Sequence, residues 1–137
     1  MPPSRWVVQL GLIILLAAGC AAKHDPFKQQ VERVGTLSIQ GEQWFSQGDL
    51  KKAQRDFTRA LDLSRAVDYP AGVAQQYNNL GAVALETGDL SKARDLFTQA
   101  FRINQERQNW AEASVNQANL ATIAQKEGNL EEARDHL

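Results

Sequence analysis

Three short segments decide the fold of this chain: Gly48-Asp49-Leu50-Lys51-Lys52-Ala53, Gly88-Asp89-Leu90-Ser91-Lys92-Ala93 and Gly128-Asn129-Leu130-Glu131-Glu132-Ala133. They begin at residues 48, 88 and 128, so the sequence repeats with a period of 40 residues. A fixed period of this length is typical of helical repeat proteins, in which each repeat packs only against its neighbours. The repetition therefore predicts a solenoid.

Each segment has the chemistry of a turn between two helices. Glycine suits the left-handed conformation that ends a helix, and the following Asp or Asn caps the next helix by accepting its free backbone N–H groups. Further helix starts are predicted at Asp25-Pro26, at 68–70, and at Asn109 with Glu112 three residues later. The sequence predicts six helices, near 26–47, 50–66, 70–87, 90–107, 110–127 and 130–137.

The residues around these turns resemble the signature of the tetratricopeptide repeat. Small residues stand seven positions before each turn glycine, and Phe57 and Phe97 lie four positions after the alanine of their segments. The resemblance covers roughly Pro26 to Leu137 and implies an all-α solenoid of antiparallel helix hairpins. The familiar repeat has about 34 residues, so a longer period resembles the extended repeats of kinesin light chain and related peptide-binding adaptors. Three repeats are predicted, near 28–67, 68–107 and 108–137, with the third incomplete.

The N-terminus has the layout of a secretory signal peptide. Arg5 precedes an uncharged apolar run, Trp6 to Ala18, which is shorter than the roughly 20 residues that a spanning helix needs. The segment from Leu15 to Cys20 resembles the lipobox of bacterial lipoproteins, although Ala17 stands where leucine is usual. We predict a signal peptide over 1–19, lipidation at Cys20, a tether over 20–25 and a repeat domain over 26–137.

Lipidation would define where the protein resides. Stable anchoring takes two acyl chains, and mature bacterial lipoproteins carry two or three. Ala21, and not aspartate, follows the cysteine, which in a Gram-negative host implies sorting to the outer membrane, facing the periplasm. Two alternatives stay open from the sequence: an uncleaved signal anchor, and an ordinary signal peptide followed by an unmodified cysteine.

The distribution of charged and reactive residues argues against several other functions. The 15 basic and 16 acidic residues are scattered without runs of one sign, which disfavours a nucleic-acid partner. His24 and His136 lie at opposite ends of the repeat domain, and no phosphate-binding loop or nucleophile-base pattern is present in the sequence. We therefore expect no enzyme activity, no cofactor, no metal site and no small-molecule substrate.

The first helices of stacked hairpins line a concave surface, and the resemblance implies that this groove binds a protein or an extended peptide. In the extended-repeat adaptors, asparagines at the positions of Asn79 and Asn119 reach the bound peptide. A carboxamide suits this role because it donates and accepts at once. The alternative is that these asparagines form hydrogen bonds across neighbouring helices. The predicted partner-binding residues are Gln75, Asn78, Asn79, Asn116, Asn119 and Thr122.

Together these patterns predict a membrane-anchored scaffold or adaptor of the bacterial cell envelope, serving the assembly of a secretion, pilus or outer-membrane complex. The alternative is the N-terminal scaffold of a longer envelope protein, with a catalytic or signalling domain beyond residue 137. In the last hairpin we expect apolar side chains to be exposed where no further repeat packs, namely Leu120, Ile123, Leu130, Ala133 and Leu137.

Overall fold

Six helices follow one another in residues 25–136, the part of the chain that the structure, a computed structural model, describes. Their bounds confirm the predicted helices to within two residues at each end. None of these helices is both long enough and apolar enough to cross a bilayer. The predicted signal peptide, Cys20 and the tether before Asp25 lie outside the described residues. The helices are α1 (Pro26–Ser46), α2 (Leu50–Ala66), α3 (Pro70–Glu86), α4 (Leu90–Glu106), α5 (Trp110–Lys126) and α6 (Leu130–Asp135).

The 40-residue period is the length of one helical hairpin with its connections. Helices α2 to α5 contain 17 residues each, and three residues separate each helix from the next. Two such helices and two such turns complete one repeat. Turns this short make neighbouring helices antiparallel, and each helix packs chiefly against the helices next to it in the chain.

Glycine ends the first helix of each repeat, as predicted. Gly48, Gly88 and Gly128 have φ angles of 77°, 81° and 79°, which lie in the left-handed region that side chains disfavour. The carboxylate of Asp49 then caps α2 by accepting from the backbone N–H of Lys52 at 3.1 Å. The turn chemistry that the sequence predicted is therefore present in the structure.

The turns between repeats adopt the same conformation without glycine. Asp68 and Gln108 have φ angles of 50° and 55°, so each places a side chain in the left-handed region at a steric cost. Asn109 then caps α5 by accepting from the N–H of Glu112 at 3.4 Å. Tyr69, at the matching position before α3, makes no side-chain cap. Backbone strain is thus confined to one of the two kinds of turn.

Small residues allow the two helices of a hairpin to approach closely. A Cβ atom added at Gly41 would lie 2.5 Å from Cε1 of Phe57, and one added at Gly81 would lie 2.8 Å from Cε1 of Phe97. Both phenylalanine rings are buried. Each ring therefore occupies the space that a larger residue at the glycine would need, as the signature positions predicted.

Leu80 joins the cores of consecutive repeats. It packs against the buried cluster of Ala53, Phe57 and Val83, and also against the cluster that contains Phe97. The apolar interior consequently continues from the first repeat into the second, as a solenoid requires.

The expected exposure of the last hairpin is wrong at three residues. Leu120, Ile123 and Ala133 are buried. Leu120 and Ile123 belong to the apolar cluster of the second repeat, so they face backward along the solenoid and not outward. Leu130 is 72% exposed, and Leu137 lies outside the described residues.

One arginine fastens the last hairpin to the second repeat. Arg94 on α4 forms ion pairs with Glu127, at the end of α5, and with Glu132 on α6. The hydrogen bond to Glu127 is the main cause that raises the pKa of Arg94 above its ordinary value. We call these three residues the Arg94 clasp.

Candidate functional site

A polar cleft opens between the first half of α3 and the start of α5. Its volume is about 310 Å³, which is at the lower end of the range of ligand sites. The end of α4 and the turn after it form the third wall. The polar groups on the walls are mainly carboxamides. These belong to Gln75, Asn78, Asn79, Asn104 and Asn109, and a hydroxyl, a guanidinium and a carboxylate come from Tyr69, Arg107 and Glu112.

Three of the six predicted partner-binding residues line this cleft, and a fourth bonds to one of them. Gln75, Asn78 and Asn79 line it, and Asn119 donates to Oδ1 of Asn78 at 3.1 Å. Thr122 lies farther along α5, where its hydroxyl donates to the backbone of its own helix. Contact between these residues and a partner stays a prediction.

Asn116 differs from the others because its side chain is fully buried. Its Nδ2 donates to Oδ1 of Asn78 at 2.9 Å, and its Oδ1 accepts from Nδ2 of Asn104 at 2.9 Å. These bonds join α3, α4 and α5. Asn116 therefore forms hydrogen bonds across neighbouring helices and presents no surface to a partner. Asn119 also bonds across helices, as the alternative interpretation predicted for it.

The same link joins the first two repeats through different side chains. Gln76 occupies the position of Asn116, and its Nε2 donates to Oγ of Ser38 at 2.8 Å. Ser38 in turn occupies the position of Asn78, and both Gln76 and Ser38 are buried. A polar bond between the first helices of consecutive repeats is thus a recurring feature of this chain.

Asn79 holds a donor without a partner. Its Nδ2 is buried and makes no hydrogen bond with the residues that the structure describes. Leaving a buried donor unpaired costs about 1–3 kcal/mol. An acceptor on a bound molecule would remove this cost. The first repeat has Ile39 at this position, with 58% of its surface exposed.

Sequence reasoning missed the wall that α4 and the following turn contribute. Asn104 is buried, and Nη1 of Arg107 lies 3.5 Å from its Oδ1. Asn109 and Glu112 were predicted only as a helix start. No periodic signal marks Asn104, because Ser64 occupies its position in the first repeat. Only the packing of α4 beside α3 and α5 reveals this wall.

The fold and the cleft define a class: a helical-repeat scaffold whose stacked hairpins expose a polar groove. A family model described as tetratricopeptide repeat matches residues 36–106, or 71 of the 137 residues. The chain therefore belongs to the tetratricopeptide repeat family. This fold supports a scaffold for protein–protein interactions, and repeat domains of this kind are generally non-catalytic.

A solved structure has a similar fold, the tetratricopeptide repeat domain of FLU from Arabidopsis. The TM-score is 0.72, and the match covers 81% of this chain and 91% of that chain. Because the sequences are only 20% identical, the similarity shows the fold alone. A sequence search of curated proteins found no significant match.

Proposed function

We propose that this chain is a lipid-anchored scaffold of the bacterial cell envelope that holds an extended stretch of another protein in its polar cleft. The proposal rests mainly on the cleft itself, where carboxamides from α3 and α4 meet around the unpaired donor of Asn79. Peptide units offer both donors and acceptors, which is the chemistry that carboxamides match. The chain acts by binding and not by catalysis, in keeping with its family.

The proposed anchor is Cys20. Its support is the lipobox-like segment that ends in Gly19-Cys20 after an apolar run. The four residues 21–24 separate this cysteine from Asp25, which caps α1. Four extended residues reach only about 14 Å, so an anchored repeat domain would lie close to the bilayer. With Ala21 after the cysteine, the outer membrane facing the periplasm is the proposed location in a Gram-negative host.

The proposed role is assembly of a secretion, pilus or outer-membrane complex. A scaffold held near the membrane raises the effective concentration of its partner there. This role needs no second activity, and a binding surface next to the bilayer is sufficient for it.

Fatty-acid labelling tests the anchor. We expect the parent chain to incorporate labelled fatty acid and to fractionate with membranes. Cys20→Ser should remove the label and release the protein into the soluble fraction. Labelled, membrane-bound Cys20→Ser protein would contradict the proposed anchor.

Site-specific photo-crosslinking in cells tests the binding surface. A photo-reactive residue at Gln75, which is exposed in the cleft, should capture a discrete protein partner. The matched control is Thr58, which is exposed on α2 away from the cleft. Equal capture from both positions, or capture from Thr58 alone, would contradict binding in the cleft.

A further inference from the structure

Buried carboxamides form a hydrogen-bonded chain that runs from α4 through α5 to the cleft. Asn104 donates to Asn116, and Asn116 donates to Asn78, both at 2.9 Å. We call these three residues the carboxamide relay. Asn104 and Asn116 are 4% and 0% exposed, and a hydrogen bond in a buried position is electrostatically stronger than one in water.

The relay has a direction. Nδ2 of Asn104 donates to Oδ1 of Asn116, and Nδ2 of Asn116 donates to Oδ1 of Asn78, which also accepts from Asn119 at 3.1 Å. The oxygen and nitrogen of a carboxamide lie on opposite sides of the same carbon. Two donors of α5 hold the oxygen of Asn78, so its amide nitrogen makes no bond to α5, and Asn78 lines the cleft.

Asn78 and Asn79 therefore offer donors to the cleft. Nδ2 of Asn78 has no hydrogen-bond partner among residues 25–136, and the neighbouring Nδ2 of Asn79 is buried and unpaired there. Arg107 adds a charged donor, while Glu112 is the one carboxylate on the walls. Free donors favour a ligand with acceptors and disfavour one that brings more donors, since both sets would then stay unpaired.

We propose that Asn104 and Asn116 are positioning residues that orient the Asn78 amide, so that the cleft selects polypeptide segments by their acceptor oxygens. This inference rests on the proposed function, because it names what the scaffold recognises. The acceptors are main-chain carbonyls or side-chain carboxylates of an extended segment, which share the same oxygen chemistry.

Nuclear magnetic resonance of the full chain in detergent micelles tests whether the cleft prefers peptides that offer acceptor oxygens. The probes are acetylated, amidated octapeptides of alternating Gly-Ser, Gly-Asp and Gly-Lys. We expect Gly-Asp or Gly-Ser to shift the side-chain amide signals of Asn78 and Asn79, and Gly-Lys to bind about tenfold more weakly. Stronger binding of Gly-Asp than of Gly-Ser assigns recognition to carboxylates, and equal binding assigns it to main-chain carbonyls.

Two substitutions test the relay. Asn78→Asp keeps an oxygen for Asn116 and Asn119 but removes the donor, so the uncharged Gly-Ser probe should bind about tenfold more weakly without any charge repulsion. Asn116→Asp accepts from Asn104 but cannot donate to Asn78, and it should likewise weaken binding of the uncharged Gly-Ser probe. Asn129→Asp is the matched control. It makes the same change at a helix cap where the other repeats have aspartate, and its Kd should stay within about twofold of the parent.

Three results would overturn the inference: stronger binding of Gly-Lys, an unchanged Kd in Asn78→Asp, or no shift at Asn78 with any probe. Probes that shift only the signals of Asn119 and Thr122 would sink this inference and leave the scaffold function standing. If Asn116→Asp does not fold, which loss of signal dispersion would reveal, Asn78→Asp decides the outcome.

Discussion

At the scale of single residues, Asp56 shows how a buried charge is accommodated. Its carboxylate is fully buried on α2, where an isolated charge would be costly. Nε of Arg55 donates to it at 3.0 Å, and the indole N–H of Trp44 donates at 3.1 Å. The hydrogen bond from Arg55 is the main cause that lowers the pKa of Asp56, while burial acts in the opposite direction.

Asp56 should make the fold sensitive to acid. Because its pKa is lower in the folded chain than in the unfolded chain, its stabilising contribution is present above about pH 4 and is lost as pH falls through the folded pKa. Asp56→Asn should lower the free energy of unfolding by about 1–3 kcal/mol at neutral pH and reduce its dependence on acid. Urea denaturation at a series of pH values measures both. Asp62→Asn, at an exposed position of the same helix, is the control; equal acid sensitivity of Asp56→Asn and the parent would contradict the prediction.

A substitution at Gln108 should stabilise the fold, since the backbone conformation at this position suits glycine. At a φ of 55°, Gln108→Gly should raise the free energy of unfolding by about 1 kcal/mol. The reverse change, Gly88→Ala at a φ of 81°, should lower it by a similar amount. Thermal denaturation compares the two, and destabilisation by Gln108→Gly would show that its side chain matters more than backbone strain.

At the scale of the helical hairpin, the contact between glycine and phenylalanine sets the distance between helices. Gly41 and Gly81 stand against buried rings, whereas a Cβ atom added at Gly35 would meet nothing within 4 Å. The same substitution should therefore have opposite effects at different helix positions.

Alanine at Gly81 should destabilise the second hairpin. The added methyl group meets the ring of Phe97, and overpacking costs about 1–3 kcal/mol, which offsets or outweighs the gain of about 1 kcal/mol in helix propensity. Gly35→Ala improves helix propensity without meeting another residue, so it should raise the free energy of unfolding by about 0.5–1 kcal/mol. Chemical denaturation measures the free energy of unfolding of both variants. If both change it in the same direction, helix spacing does not depend on Gly81.

At the scale of the whole molecule, helix α6 depends on the helices that precede it. Helix α6 has six residues, which is too short for an isolated helix in water. Its order comes from packing of Ala133 and from the Arg94 clasp, which connects it to α4. Stability should therefore decline from the second repeat to α6.

Removing the clasp should loosen α6 selectively. Arg94→Gln should speed hydrogen exchange of residues 130–135 about fivefold, equivalent to about 1 kcal/mol, while exchange in α3 should not change. Arg102→Gln is a matched control on the same helix, because it breaks an exposed pair with Glu106 that spans only α4. Equal exchange of residues 130–135 in both variants would show that the clasp does not hold the last hairpin.

The sequence by itself determined the helices, their turns and the family. Glycine followed by a capping residue acts within a few positions of the chain, and the small and aromatic residues recur at a fixed spacing, so Gly48 or Phe97 can be interpreted without knowing what lies across the fold. The asparagines at 78 and 79 were recognised for the same reason, since they sit on a helix whose register was already clear.

Only the tertiary structure decided what each polar side chain does. Asn116 and Asn119 lie on the same helix and have the same donors, yet Asn116 is buried between α3 and α4 and Asn119 is not. Asn104 forms a wall of the cleft, and Leu120 turns inward, although neither is distinguished by local sequence. Burial and hydrogen bonding depend on residues about 12 to 40 positions away, and such contacts exist only once the repeats have stacked.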